Sequence, residues 1–531
     1  MKAFMWRARA IAASVGTASL VLTVCASSTP DASATTTFPT SHTLTLSFLQ
    51  DPGQPPDPAV FYAGQGLLLQ DNIYDGLVQY EPGTAERVIE PDLATSWTVS
   101  KNDQTYTFQL RHGVEFHDGT PFTSSAIGPS FSRDSAVDGG PAYMSQAVAS
   151  VQTPGPYTAV VKLKAPNGSF LDFLASAYGP RIYSPTGLAA HAGSDNDQTY
   201  LKTHDLGSGP YELTQSDVGV KYQLTAFPKY WGKKPYYTTV NLPVIDNFNT
   251  EESEFNGGQI AAMLHDLTNQ AIKSYQKDSS VTVYSLPTLQ SEALYVNPKS
   301  GFLTTAAHRL TLLHAINVPQ IVGDVYTGVG TVATQVYPRN MVPPKMSVQD
   351  DAYDPGALKK LVASLPASQR TLTIGYDTSS PSDQLIASFL VAQLDQTGLQ
   401  ASSVGYPTGT VYGWSPPGTV PSNAPGLLVE YIWPDAYDPY QSGHIFWGST
   451  GGANFLQCKV PGLDSQLSQA LSTDNIPLFG KVGDEEGQSG CFYNLADRND
   501  VFVAQPWLKG LPQGHVVSAP YTVLLDGLYP G

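Results

Sequence analysis

The chain has 531 residues, 41% hydrophobic and 14% charged, with 42 prolines and 47 glycines, enough for two or more domains with sizeable cores and many turns. Acidic residues outnumber basic ones 45 to 28, for a net charge of −17 with no long run of either sign. Such a surface repels nucleic acid and anionic membranes, which argues against both as partners.

Lys2, Arg7 and Arg9 precede an uncharged stretch, residues 10–24, that is too short to span a bilayer and fits the apolar core of a secretory signal. Residues 1–25 are therefore expected to be a signal peptide and the protein to be exported. Leu22-Thr23-Val24-Cys25 resembles the lipobox of bacterial lipoproteins, in which the cysteine is lipidated, although Val24 stands where a small residue is usual. Ordinary cleavage after Ala26 or Ala34 is the alternative. Lipidation of Cys25 is preferred because residues 26–42, rich in Ser, Thr and Ala, suit a flexible tether. Cys458 and Cys491 are 33 residues apart in an exported chain and most simply form one disulfide.

Leu44, Leu46 and Phe48 alternate with Thr45, Ser47 and Leu49 as a strand does, and a Pro/Gly loop over residues 50–61 follows. Residues 67–77 read as a short helix. Residues 97–99 and 106–110 alternate around a turn at 101–104, as in a hairpin. In RHGVEFHDG, residues 111–119, Val114 and Phe116 alternate with Glu115, so a strand is expected to close a small meander, with His117-Asp118-Gly119 as a turn. His112 and His117 are five apart, which puts them on opposite faces of a strand. Gly113 and the absent i, i+4 spacing argue against a helical metal pair. Thr123 is a reasonable N-cap for a helix towards Arg133, which Gly128-Pro129 should kink or shorten.

Helical periodicity becomes prominent at residues 253–262 and 304–315. From 371 to 404 the order is strand, helix, strand: 372–376 extended, 383–396 an amphipathic helix capped by Ser382 and stopped at Gly398, then 399–404 extended again. That order implies a parallel α/β sheet in the second half. A Pro/Gly-rich loop, 405–426, leads into the buried-type strand LLVEYI, residues 427–432.

The segments Ile73-Tyr74-Asp75-Gly76-Leu77, Glu90-Pro91-Asp92-Leu93-Ala94-Thr95-Ser96-Trp97 and Tyr106 through Gly119-Thr120-Pro121 follow one another in a distinctive order. Gly207-Ser208-Gly209-Pro210-Tyr211, Tyr230-Trp231-Gly232 with Pro235, Asn297, Arg309 with Ala315-Ile316, Asp354-Pro355, the stretch 433–439, Asn454 and Asp464 continue it, with Asn317 where Asp is usual. Over residues 43–531 the chain resembles the extracytoplasmic solute-binding proteins of ABC importers of the peptide and nickel type. The resemblance implies an α/β, two-lobed, periplasmic-binding-protein-like (type II) fold with an extra small α+β subdomain in the first lobe. The first lobe would cover residues 43–290, including a β-rich subdomain at about 75–200. The second would cover 291–500, and 501–531 would return to the first. It also implies a monomer that encloses solute between hinged lobes and delivers it to a membrane permease. ATP would be consumed by other subunits, with no cofactor, metal or chemistry in this chain.

In peptide-binding members of that family, an aspartate in a Trp-x-x-Asp-Tyr-x-x-Pro segment pairs with the peptide's α-ammonium. Here the text is Trp433-Pro434-Asp435-Ala436-Tyr437-Asp438-Pro439, one residue shorter before the aspartate. Counting back from Pro439 selects Asp435, whereas counting forward from Trp433 selects Ala436. Asp435 is the expected salt-bridge partner; the alternative is a loop carboxylate held by nearby backbone amides. Trp433 and Tyr437 flank it. Tyr412, Trp414 and Trp447 are expected in the cleft ahead of Tyr431, because a Pro/Gly loop and a strand exit are hard places to bury rings. Tyr62 and Phe61 are expected contacts from the first lobe. Flat rings suit apolar peptide side chains or sugars, so an oligosaccharide is an alternative solute. A cell-surface sensing or adhesion module without transport is another alternative. An exported serine hydrolase is a third: Ser274/Lys277, Ser194/Asn196 and Lys299/Gly301 imitate the motifs of serine penicillin-binding proteins, though in the wrong order.

Overall fold

The computed structural model describes residues 41–62, 66–415 and 418–531. Cys25, the expected signal peptide and nearly all of the expected tether lie outside the described residues. Among the described residues no helix is long and apolar enough to cross a membrane.

In the first lobe the strands Thr43–Thr45, Thr239–Pro243, Lys221–Ala226 and Tyr211–Asp217 lie side by side in that order, the first pair parallel and the others antiparallel. Leu44 and Leu46 point into a core with Tyr222, Leu224, Val240 and the helix Leu67–Ile73, as the alternation from Leu44 requires.

The β-rich part is an antiparallel sheet ordered Ala94–Val99, Thr105–Leu110, Thr158–Leu163, Val148–Gly155. Its first hairpin turns where the sequence predicts, but RHGVEFHDG does not supply the next strand; Thr158–Leu163 does. Gly113 and Gly119, at φ +74° and +80°, fold the segment back on itself, with Phe122 N donating to Val114 O and Phe116 N to Thr120 O. Val114 and Phe116 are still buried, so the alternation recorded burial and not a ladder. Both histidines have partners inside the fold. His112 stacks on Tyr157 with ring centroids 3.7 Å apart, and His117 bridges the Asp205 carboxylate and the Gly209 carbonyl.

The next helix also departs from expectation. It runs Ile127–Val137 after a single 3₁₀ turn, Ser124–Ala126, and Thr123 makes no side-chain cap. Gly128-Pro129 sits in the first turn, where a missing N–H is harmless, so it produces no interior kink. The pattern at 253–262 resolves into the helix Phe248–Asn256, capped by Asn247, and the short strand Ala262–Met263. The pattern at 304–315 is the helix Ala306–Leu313, capped by Thr305.

A seven-stranded sheet carries the second lobe, in the order Ala262–Met263, Phe492–Ala504, Thr282–Val296, Leu427–Ile432, Thr371–Asp377, Gln400–Tyr406, with Gly330–Val332 also on Phe492–Ala504. Thr371–Asp377 is parallel to both neighbours, as strand-helix-strand order demands, and the remaining pairs are antiparallel. The intervening helix is Pro381–Asp395, and its cap is Ser380, not Ser382: Pro381 occupies the first helical position and Ser380 Oγ accepts from Asp383 N. Gly398 ends this unit at φ +93°.

Thr282–Val296 and Phe492–Ala504 belong to both lobes. Val501 and Val503 pack in the second-lobe core with Leu294, Val296 and Ile374, whereas Phe502 and Ala504, on the opposite face, join Leu44 and Tyr222 in the first. Phe255, Leu267, Ile272 and Tyr275, upstream of these strands, also pack in the second-lobe core. Cys458 and Cys491 form a disulfide with Cα atoms 5.6 Å apart.

Candidate functional site

The strand Leu427–Ile432 has two different faces. Leu427 and Val429 enter the second-lobe core; Leu428 and Ile432 face the other way, towards the first lobe, with Glu430 between them. Beyond the strand the chain bends through residues 433–438 into the helix Pro439–Phe446, whose cap Asp438 accepts from Gln441 N at 3.0 Å. Asp435 is held in that bend, against the first lobe.

Asp435 is buried. Its Oδ2 accepts hydrogen bonds from Tyr62 Oη at 2.6 Å and Tyr143 Oη at 2.8 Å, and its carbonyl oxygen accepts from the Ser176 hydroxyl. The side-chain partners found among the described residues are thus phenols from the other lobe, not amides of its own loop. Burial raises the carboxyl from an ordinary 3.8 to about 6, against the pull of the two phenols. Ala436, the other candidate by counting, is fully buried.

Tyr62 is 41% exposed and Tyr412 45% exposed, yet burial raises both phenols well above their ordinary pKa. The Tyr62 hydroxyl is turned inward onto Asp435, and the Tyr412 ring meets Phe455 edge-on at 5.1 Å, while part of each ring stays exposed. Trp433 Nε1 donates to Tyr178 Oη at 3.1 Å, Tyr178 meets Tyr62 edge-on at 5.3 Å, and Trp433 stacks on Tyr431 at 5.4 Å. The loop bearing Tyr62 is fixed from behind: Arg133 forks onto both oxygens of Asp57 at 2.8 and 2.6 Å, with both side chains buried.

Several expected cleft residues lie elsewhere. Trp414 is buried against Tyr406, because the Pro/Gly loop forms the short helix Thr408–Tyr412 and folds the indole inward. Trp447 is buried between Tyr337 and Phe492. Tyr437 is fully buried as a contact between lobes: its hydroxyl donates to Ala85 O at 2.8 Å and its amide to Tyr80 Oη at 3.0 Å. Phe61 is core as well, whereas Tyr431, expected there, is only half-buried.

Sequence reasoning missed Tyr143, Tyr178 and Glu430. Nothing local marks the two tyrosines. Glu430 did carry a signal, as the lone charge inside LLVEYI, where a buried carboxyl needs a reason. No group of three or more His, Cys, Asp or Glu side chains among the described residues is placed to hold a metal. The serine-hydrolase motifs fall on three separate elements: Ser274 on the helix Asn269–Tyr275, Ser194 in a turn after Pro185–His191, and Lys299 in a turn after Thr282–Val296.

A family model described as bacterial extracellular solute-binding proteins, family 5, middle region, matches residues 88–454. The chain belongs to this family. It is 26% identical over 374 residues to the probable D,D-dipeptide-binding periplasmic protein of Escherichia coli strain K12, an alignment covering 68% of this chain and 71% of the relative. Among solved structures it resembles an ABC transporter-associated periplasmic binding protein of Helicobacter pylori in complex with the peptide STSA. The TM-score is 0.76 at 22% identity, over 92% of this chain and 98% of that one. NikA of Brucella suis in complex with Fe(III)-EDTA aligns with a TM-score of 0.78 at 21% identity, over 92% of this chain and all of the other, 100%. The solute-binding family thus accounts for the two-lobed α/β fold. Those two relatives hold unlike solutes, so the solute here must be argued from the cleft's own side chains.

Proposed function

We propose that the chain is the substrate-binding component of an ABC importer and captures a small peptide with a free amino terminus between its lobes. The observation that carries this is Asp435, a buried carboxyl at the meeting of the lobes whose side-chain partners are two neutral phenols. An ammonium entering there gains a charge-assisted hydrogen bond in a place where water is scarce. Tyr62, Tyr412 and Trp433 offer flat walls to the rest of the peptide. Closure brings the first-lobe phenols and the second-lobe carboxyl onto the same solute, so binding favours the closed form. In this reading a lipid on Cys25 keeps the exported, monomeric protein beside the permease, and catalysis is left to the ATPase subunits. The separation of Ser274, Ser194 and Lys299 supports a receptor without chemistry of its own. The stacked pair Tyr431 and Trp433 favours a second reading, a sugar ring as solute.

Native mass spectrometry of mature protein purified without refolding tests the solute class. Retained peptide masses that are lost from Asp435→Asn are expected; a hexose ladder moves the assignment to sugar. In calorimetry, trialanine should bind the wild type, and N-acetyl-trialanine should lose about 2–5 kcal/mol of binding free energy. Equal affinity for the two peptides would remove the amino terminus from the recognition scheme.

A further inference from the structure

Asp435 is not the cleft's only carboxyl. Glu430 lies on the same face of Leu427–Ile432 as Leu428 and Ile432, towards the first lobe. The parallel register Gly375 with Leu428 and Tyr376 with Val429 makes Asp377 its next-rung neighbour on that face. Both side chains are buried. Asp377 Oδ1 accepts from Ser379 N at 2.7 Å and Thr408 Oγ1 at 2.9 Å, but Asp377 Oδ2 and Glu430 Oε2 have no hydrogen-bond partner among the described residues. Buried carboxyl oxygens of this kind are rare unless something else satisfies them.

Among the described residues no Lys, Arg or His forms an ion pair with Glu430, Asp377 or Asp435. The influences acting on Glu430 are burial, Asp377 and Glu292 on the opposite face; those on Asp435 are burial and its two phenols. Arg498 is engaged elsewhere, paired with Asp266 at 3.1 Å and Glu292 at 3.7 Å and lying over the rings of Tyr326 and Tyr431. The two carboxyl sites share one aromatic wall. Tyr62 donates to Asp435 and meets Tyr178 edge-on, and burial raises both phenols, Tyr62 and Tyr412, helped for Tyr62 by the Asp435 carboxyl and for Tyr412 by those of Glu430 and Asp377. Tyr295, on Thr282–Val296, also faces Glu430, and its buried hydroxyl has no partner among the described residues. Five residues of chain separate Glu430 from Asp435, a span of at most ~18 Å even if fully extended.

Resting on the peptide reading above, we infer that the solute carries a second positive charge, received by Glu430 and Asp377 while Asp435 holds the amino terminus. The solute class is a short peptide with a lysine or arginine after its first residue. An extended peptide advances ~3.4 Å per residue, so a basic side chain at the second or third position is the one that would meet the second carboxyl pair. Burial, reinforced by Asp377 and Glu292, holds the Glu430 carboxyl well above the usual carboxylate range, a shift that an arriving cation would oppose. Binding of a basic peptide is therefore expected to release protons to solvent.

Calorimetry with Ala-Lys, Ala-norleucine and Ala-Ala tests this. Norleucine keeps the four-carbon stem of lysine without the ammonium. Ala-Lys should bind the wild type at least tenfold tighter than Ala-norleucine, and comparison of buffers with different ionisation heats should show more proton release for Ala-Lys than for either other dipeptide. Glu430→Gln should shrink the affinity ratio below threefold. Asp377→Asn should shrink it in the same direction, and serves as the readout if Glu430→Gln does not fold. Equal binding of Ala-Lys and Ala-norleucine to the wild type, or a ratio untouched by both substitutions, overturns this inference and leaves the peptide reading standing. Failure of all three dipeptides to bind overturns both.

Discussion

The two walls of the cleft are made of different chemistry. The first lobe presents hydroxyls, from Tyr62, Tyr143 and Tyr178, whereas the second presents carboxyls, from Asp435, Glu430 and Asp377. A phenol stays neutral across the physiological range and adapts to donor or acceptor; a carboxyl can take up charge and discriminate by it. In the proposed reading, selection by charge would fall to the second lobe and the energy of closure to the first. A cationic solute meeting the second lobe alone would then find its counter-charge, and closure would complete the shell.

If the first wall matters because it is rigidly mounted, the strongest blow falls behind it. Asp57→Ala leaves the Arg133 guanidinium buried without its fork, which should destabilise the fold by about 3–5 kcal/mol and weaken solute binding through the loop that carries Tyr62. Urea unfolding and calorimetry check both effects; an unchanged unfolding midpoint would mean that the loop is anchored elsewhere.

Next in size is the charge on the second wall. The Asp435 carboxyl is raised in the fold from an ordinary 3.8 to about 6, so the native state holds this proton more tightly than the unfolded chain. Its contribution is most favourable below pH 4 and is lost as pH climbs to 6, a change of up to about 3 kcal/mol. Asp435→Asn should flatten this part of the stability profile and melt no lower than wild type at pH 7. Binding of an amine should run the other way, weakening as pH falls below 6, because the protonated acid offers no counter-charge.

The smallest effect separates the walls most cleanly. Tyr143→Phe removes one hydrogen bond to Asp435 and should cost about 1 kcal/mol in stability. Since the two phenols hold the Asp435 value down, the substitution should also move the pH midpoint of amine binding upward. A midpoint that stays put would show that Tyr143 fills space without touching the charge.

Local pattern made much of the fold legible. The unit from Thr371 to Ile432 was readable because strand, helix and strand each follow from nearby residues. Its one misplacement, the cap, turned on two serines flanking Pro381, and the proline's preference for the first helical position settles it for Ser380. RHGVEFHDG was misread as a ladder strand because alternation reports which side is buried, and a glycine-bounded turn packed on a core alternates equally well. Asp435 and Tyr62, singled out by motif and loop, are hydrogen-bonded to each other across the lobes. Tyr143 was not legible, because it stands 292 residues from Asp435 in the chain and only tertiary folding brings the two together. Trp414 and Trp447 were misjudged for the opposite reason: loop composition suggests exposure, but a loop with its own helical turn can roof a core.

The paired strands Thr282–Val296 and Phe492–Ala504 give side chains to both cores from opposite faces. The lobes are therefore not interchangeable parts. A graft that exchanged one of them for a lobe of another specificity would have to cut through a continuous ladder, leaving a raw edge of unpaired N–H and C=O groups on each fragment and an invitation to aggregate. New specificities are reached more safely by changing side chains along the cleft walls than by recombining halves.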